Sequence, residues 1–174
     1  MQSVSEQRPL IRRATSSDLP RLTEIYNHYI RNTAITFDLE PFTVEERRNL
    51  WFAKFADEGR HQLLVVEERG EVVGFAGTTG FREKRAYDTT VETTIYCVPE
   101  ATGRGIGTLL YSALFEALDG EDIRLAVAGI TVPNEASIAL HERFGFTPAG
   151  VMHEVGRKFD RYWDVAWYEK RLGS

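Results

Sequence analysis

The pattern of apolar and polar positions along the chain alternates between two periods. Leu10 to Ala14 is a short strand candidate. Ser16 or Ser17 can cap a following helix with Pro20 in its first turn. That helix places Leu19, Leu22, Ile25, Tyr26, Tyr29 and Ile30 on one face. Asn32 to Pro41 is a polar-aromatic loop, and Phe37 within it either covers the core or meets a ligand. Thr43 and Glu46 form a capping box for a helix carrying Leu50, Trp51 and Phe55, which Gly59 ends. Leu63–Glu67 and Val72–Thr78 predict an antiparallel hairpin turning at Glu68–Gly70.

Past a charged, irregular segment, Gly80 to Thr90, the pattern becomes strand, loop, helix. A β-branched run from Val91 to Val98 stops at Pro99, glycines follow at 103, 105 and 107, and Leu109, Leu110, Ala113, Leu114 and Leu118 then mark one helix face. Leu125–Ile130 is a strand. Asn134 can cap a helix through Leu140 and Phe144 that stops at Gly145. Phe146–Val155 is strand-like, and Tyr162–Tyr168 alternates as a strand with one face packed. No repeat or linker interrupts this order. The expectation is an α/β fold: one domain over residues 10–174, behind a flexible tail over residues 1–9, with a mixed, mostly antiparallel sheet and helices on both faces.

Composition narrows the function classes. The formal net charge is −5 and no basic stripe stands out, so nucleic acid is not an expected partner. The one cysteine, Cys97, excludes an internal disulfide and reads as a small buried hydrophobe in a core strand. No apolar run is long enough for a bilayer, and the opening MQSVSEQRP lacks the apolar core of a signal peptide, so no membrane association and a cytoplasmic location are expected.

The glycine loop is the first chemical signal. Glycines at alternate positions let backbone approach a ligand closely, and N–H groups at a helix N-terminus attract anions. The loop proposes a pyrophosphate cradle. It follows an antiparallel hairpin past mid-chain, which argues against a dinucleotide fold, and Thr108 follows Gly107 without the lysine of a phosphate-transfer loop. Glu92 precedes an apolar strand. Desolvation could raise its pKa into the range of a general base, or it is an exposed strand-end carboxylate. His141, on the Asn134 helix, titrates near neutrality, or is a partly buried surface histidine.

Taken together, the strand, the RGIG turn and NEASIALHERFGF resemble the acetyl-CoA core of the GNAT superfamily of acetyltransferases. The loop pattern of that family, Q/R-x-x-G-x-G/A, is matched by Thr102 to Gly107, with Thr102 departing at the first position. IRRATSSDLP, IYNHYI, TFDLEP, AYDTTVETTIY and YWDV resemble the phosphinothricin N-acetyltransferase branch, so the likeness runs from Ile11 to Leu172.

The resemblance implies an N-acetyltransferase that uses acetyl-CoA as co-substrate, without a metal. The acceptor would be the α-amine of a glutamate-like amino acid of the phosphinothricin or methionine sulfoximine type, attacking the thioester directly. Glu92 would be the base and His141 the acid or thiolate stabiliser, with the reverse assignment open and Tyr96 or Tyr111 as fallback acids. Substrate contacts would come from Phe37, Arg82, Lys84, Tyr87, Glu92 and Thr94. Coenzyme A contacts would come from Ile95, Tyr96, Cys97, Gly103, Arg104, Gly105, Ile106, Gly107, Thr108 and Asn134. A backbone N–H in Ile95–Cys97, freed by a bulge or splay, would face the oxyanion. The branch also implies a homodimer, with Tyr162–Tyr168 as a candidate surface and Phe37 as a residue that can serve a neighbouring subunit's pocket. Two other readings stand beside this one: a different amine as acceptor, or a coenzyme A-binding module without turnover.

Overall fold

The computed structural model describes residues 8–173. Residues 1–7 of the expected tail lie outside the described residues. Seven strands form one sheet in the order β1-β2-β3-β4-β5-β7-β6. They are β1 (Leu10–Arg13), β2 (Leu63–Glu68), β3 (Glu71–Gly80), β4 (Thr90–Cys97), β5 (Leu125–Val132), β6 (Thr147–Lys158) and β7 (Arg161–Arg171). Every neighbouring pair is antiparallel except β4 and β5. Four helices cover the faces: α1 (Leu19–Asn32), α2 (Val44–Leu50), α3 (Ile106–Ala117) and α4 (Glu135–Arg143).

Strand alternation splits the core in two. Leu63 and Val65 of β2 and Phe75 of β3 pack with Leu22 and Ile25 of α1. Leu64, Val66 and Ala76 point to the other face and meet Leu110, Tyr111 and Leu114 of α3. A period of two on the strands and 3.6 on the helices produces both layers.

Several local readings change. The start of the first helix is set at Thr15, not Ser16 or Ser17: its N–H donates to the Asp18 carboxylate at 2.7 Å, and a 3-10 turn over Ser16–Asp18 leads into α1. Arg12 grips the same carboxylate at 2.8 and 2.9 Å, which holds the Asp18 pKa below its usual value. The Thr43–Glu46 capping box is present, but α2 ends at Leu50 and a separate 3-10 turn, Phe52–Lys54, replaces the expected run to Gly59. Leu109 faces solvent; Ile106 and Tyr111 complete the buried face of α3 instead. β6 is longer than expected and carries register irregularities against β7. On β7, Val165 and Ala166 are both buried although they point to opposite faces: Ala166 joins the core against α3, while Val165 lines a cavity on the other face.

The α3 layer depends on Leu110, which is fully buried. Leu110→Ala is expected to destabilise the protein by about 2–5 kcal/mol. Urea unfolding checks this: the midpoint falls while the slope stays the same.

Candidate active site

The site begins where two strands part. β4 pairs with β5 only from Thr90↔Leu125 to Glu92↔Val127. Beyond that point β4 stays with β3 as far as Cys97↔Gly74, and β5 stays with β7 as far as Val132↔Asp164. The register of β4 on β3 is unbroken, so the gap is a splay and not a bulge. Amide parity follows from the Val98 N–H donating to the Val73 carbonyl at 2.8 Å. Even-numbered backbone groups of β4 therefore face β3, and the polar groups of Ile95 and Cys97 face the gap. The Tyr29 hydroxyl donates to the Cys97 carbonyl at 2.5 Å, and burial pushes the Tyr29 phenol up to about 12.

Two cavities open on this gap. The smaller, about 340 Å³, is lined among others by Phe37, Glu92, Thr94, Gly129 and Trp167. The larger, about 730 Å³, runs past Tyr29, Cys97 and the glycine loop to Arg143. Ile95, Tyr96, Asn134 and Ser137 line both, so the two meet at the splay.

The loop is built for a close approach. Gly105 has φ 81°, in the left-handed region that favours glycine, and caps α3. The first helical bond there runs from the Leu109 N–H to the Gly105 carbonyl at 3.1 Å. The N–H groups of Ile106, Gly107 and Thr108 thus lack intrahelical acceptors at the positive end of the helix dipole. Thr102, Gly103, Gly105, Ile106, Gly107 and Thr108 line the larger cavity. The Arg104 side chain does not; its guanidinium donates to both oxygens of Glu68 at 2.9 Å. Arg143 of α4 supplies a cation instead, donating to Thr108 Oγ1 at 3.4 Å while lining the larger cavity. Reasoning from sequence missed it, because a basic residue in the last turn of a helix is also what the dipole favours on its own.

Glu92 sits inside β4, half-buried, and not at an exposed strand end. Desolvation raises its pKa, opposed by the positive charge of Arg82. His141 is 3% exposed rather than a partly buried surface residue. Its Nδ1 lies 2.7 Å from the Ser137 carbonyl and its Nε2 lies 2.9 Å from the Tyr111 hydroxyl. A carbonyl only accepts, so Nδ1 carries a proton, and in the neutral ring Nε2 is the acceptor. Burial lowers the His141 pKa, partly offset by the bond to Ser137. Tyr111 is fully buried, which raises its phenol pKa, and its hydroxyl also reaches Thr93 Oγ1 at 3.2 Å. Tyr96 lines both cavities, and burial raises its phenol well above the ordinary value. Burial lifts the Cys97 thiol to about 11, so it stays protonated near neutrality and is a poor nucleophile.

Of the expected substrate contacts, Phe37, Glu92 and Thr94 come together. Arg82, Lys84 and Tyr87 do not line that cavity; they lie exposed on the segment before β4. Phe81 ties this segment to Trp167, a residue of the cavity wall. The Arg82 guanidinium lies 4.8 Å from the Phe81 ring centroid, and Phe81 packs edge-on against Tyr87 at 5.8 Å and Trp167 at 6.0 Å. Trp167 and Gly129 are lining residues that the sequence had marked only as strand, and Thr131 lies just past the expected strand Leu125–Ile130. Among the described residues, no three His, Cys, Asp or Glu side chains gather as a metal site, and no helix is long and apolar enough to cross a membrane.

Comparison with known proteins agrees with this arrangement. The Acetyltransferase (GNAT) family model matches residues 22–146. A phosphinothricin N-acetyltransferase of Streptomyces coelicolor is 54% identical over 93% of this chain and 95% of its own length. An L-methionine sulfoximine/L-methionine sulfone acetyltransferase of Pseudomonas aeruginosa is 35% identical over 93% of this chain and 94% of its own. A phosphinothricin acetyltransferase from Sinorhizobium meliloti, solved in complex with AcCoA, superposes with a TM-score of 0.87 at 34% identity, covering 96% of this chain and 90% of that one. A sheet split between β4 and β5, a glycine loop opening α3 and a match across most of the chain lead to one conclusion: this protein belongs to the GNAT family of acetyltransferases.

Proposed function

We propose that this acetyltransferase moves acetyl from acetyl-CoA to the α-amine of a glutamate-like amino acid, of the phosphinothricin or methionine sulfoximine type. The observation that carries the reading is the junction of two cavities at Ile95 and Tyr96, one holding Glu92 and the other the loop amides. The names of the Streptomyces and Pseudomonas relatives support the acceptor class. The AcCoA complex of the Sinorhizobium protein supports the donor.

The chemistry follows from the groups present. The larger cavity offers helix N-terminal amides and Arg143 to the phosphates of the co-substrate. In the smaller cavity Glu92 takes a proton from the substrate ammonium, directly or through a water. The free amine attacks the thioester carbon. Charge develops on the carbonyl oxygen, and an amide of the gap-facing pair, Ile95 or Cys97, is the donor placed for it. The C–S bond then breaks; the nitrogen of the new amide gives up its second proton, and the leaving thiolate takes one up. His141 has both ring nitrogens engaged, so we assign the acid role to the Tyr111–His141 pair and not to a free imidazole.

The charge of the smaller cavity favours an amino acid over a polyamine. Among the described residues its one lining carboxylate is Glu92, which the base step needs, so a second ammonium finds no further carboxylate among them. Arg82, near enough to Glu92 for its charge to act on that carboxylate, supports binding of the substrate's acidic end by forked hydrogen bonds, and the exposed Lys84 adds positive charge to the same segment. Exposed Val151, Met152, Val155 and Tyr162 on β6 and β7 support a homodimer.

The deciding experiment follows free thiol from acetyl-CoA with a panel of amines. Release with phosphinothricin or methionine sulfoximine but not with polyamines is expected. Tight coenzyme A binding with no turnover on any amine would favour a binding module. Glu92→Gln should lower kcat by about 10²–10⁴-fold with acetyl-CoA affinity kept. In the wild type, activity falls as pH drops through the raised Glu92 pKa, and this acid limb should vanish in the variant; an unchanged profile would reject Glu92 as base. The lowered His141 pKa means a neutral ring at pH 7, with stability lost as pH falls and the buried ring must charge. Long-range ¹H–¹⁵N spectra should show an Nδ1–H tautomer at neutral pH; an imidazolium there would restore the direct-acid reading.

A further inference from the structure

The segment between α1 and α2 forms one wall of the smaller cavity through Ile35, Thr36 and Phe37. It has no regular structure, and an irregular segment fixes a pocket wall only if something fixes it. At its far end Asn27 does so, donating to the Phe42 carbonyl at 2.8 Å and accepting from its N–H at 2.9 Å. Nearer the cavity, Tyr26 reaches Thr36 Oγ1 at 2.7 Å and also donates to Asp38.

The other hold comes from across the molecule. Lys158, last residue of β6, is 4% exposed. Its Nζ donates to the Thr36 carbonyl at 2.8 Å and to the Asp38 carbonyl at 2.9 Å. These two carbonyls flank Phe37, so the bonds fix the backbone on either side of it. The ammonium also lies 5.3 Å from the Phe159 ring centroid. Among the described residues no carboxylate lies within ion-pair distance of it. Burying a lysine without a carboxylate partner is costly, and this one is retained on main-chain acceptors alone. Burial accordingly lowers its pKa, with the Asp38 charge opposing.

Two residues earlier on the same strand face, Gly156 receives the Phe37 ring. A Cβ at this position would stand 2.2 Å from Phe37 Cε2, closer than any real contact. Gly156 and Lys158 thus act as slot and hook: the first admits the ring, the second fixes its backbone. The Trp163 indole N–H donates to the Lys158 carbonyl at 2.9 Å and steadies the hook in turn.

We propose that Lys158, with Gly156, is a positioning residue for the acceptor amine: it holds Phe37 in the wall of the smaller cavity, and so sets amine affinity without touching the reacting atoms. This rests on the proposed function for its kinetic consequence, but not for the anchoring itself.

The test uses Lys158→Met, which keeps the length and apolar stem of the side chain and removes its donors, alongside Gly156→Ala. Hydrogen exchange of the amides over residues 35–39 reads the anchoring without any substrate. It should speed up in Lys158→Met while the thermal midpoint confirms a folded protein. With whichever amine the wild type accepts, KM for the amine should rise about tenfold, the scale of one lost charge-assisted hydrogen bond, with kcat and the KM for acetyl-CoA within twofold. Lys158→Arg, which keeps donors, should recover part of the loss. Unchanged exchange in Lys158→Met overturns the proposal whatever the substrate proves to be. Faster exchange with an unchanged amine KM overturns it too, as would an equal loss in both substrates' KM. If the wild type turns over no amine, the functional reading fails, and the exchange measurement still decides whether Lys158 holds the wall.

Discussion

The constraint on which the rest of the site depends is the short partnership of β4 and β5. Three residues of parallel pairing bind the sheet's two halves, and then the strands diverge. Each keeps its outer neighbour, so the sheet does not fall apart; it opens inside. An opening within a sheet exposes backbone amides in a low-dielectric interior, where an unpaired polar group is costly. Tyr29 satisfies one of them, the Cys97 carbonyl. An amide facing such a gap gains from a ligand that can accept its hydrogen bond. Under the proposed function, this unfinished ladder is what supplies the oxyanion donor.

The same burial acts on the titratable groups beside the gap, and it favours the uncharged form of each. Glu92 is raised and His141 is lowered, each with desolvation as the main cause. A carboxylate shifted this way holds a proton more readily than one in water, which under the proposed function suits a group that takes one from an ammonium. Its ionised form gains most when a cation enters beside it. Arg82 supplies a weak version of that from the rim, and a substrate ammonium would supply a stronger one. The histidine is different in kind. With Ser137 and Tyr111 on its two nitrogens it is a fixed member of a buried chain, and its proton state is read out through a phenol.

How much of this was legible in the chain depended on the range of the interaction. Period and punctuation are local, so the hairpin at Glu68–Gly70, the Thr43–Glu46 box, the Asn134 cap and the glycine loop could be read directly. The family likeness then placed Glu92, Phe37, Thr94 and the loop residues, and the structure gathers these around two joined cavities. Lost to the sequence were contacts between residues far apart along it. Nothing near Arg104 announces that Glu68 holds its side chain away from the cleft. A histidine at helical spacing does not reveal that Tyr111, thirty residues earlier, occupies its Nε2. The Asp18 network shows the same effect on a smaller scale, since Arg12 and Thr15 meet the carboxylate from an adjoining strand and turn.

Cations in this acidic protein divide by task. Arg47 is buried against the rings of Tyr26 and Trp51, at 4.2 and 3.8 Å, and burial lowers its pKa to about 10. It joins α2 to Tyr26 of α1, at the two ends of the segment that carries Phe37, while Lys158 holds that segment from β6. Both positive charges lie near Asp38, whose carboxylate accepts from Tyr26. Arg82 and Lys84 stay on the surface, free to meet a ligand. The site is thus assembled from two kinds of part. Strands and helix termini fix the reacting groups through backbone geometry, which tolerates little side-chain change. Loops held by long-range side-chain bonds fix the walls, and such bonds can be altered singly while the sheet keeps its register. Under the proposed function, acceptor choice can therefore change through single side-chain bonds more readily than the acyl transfer it serves.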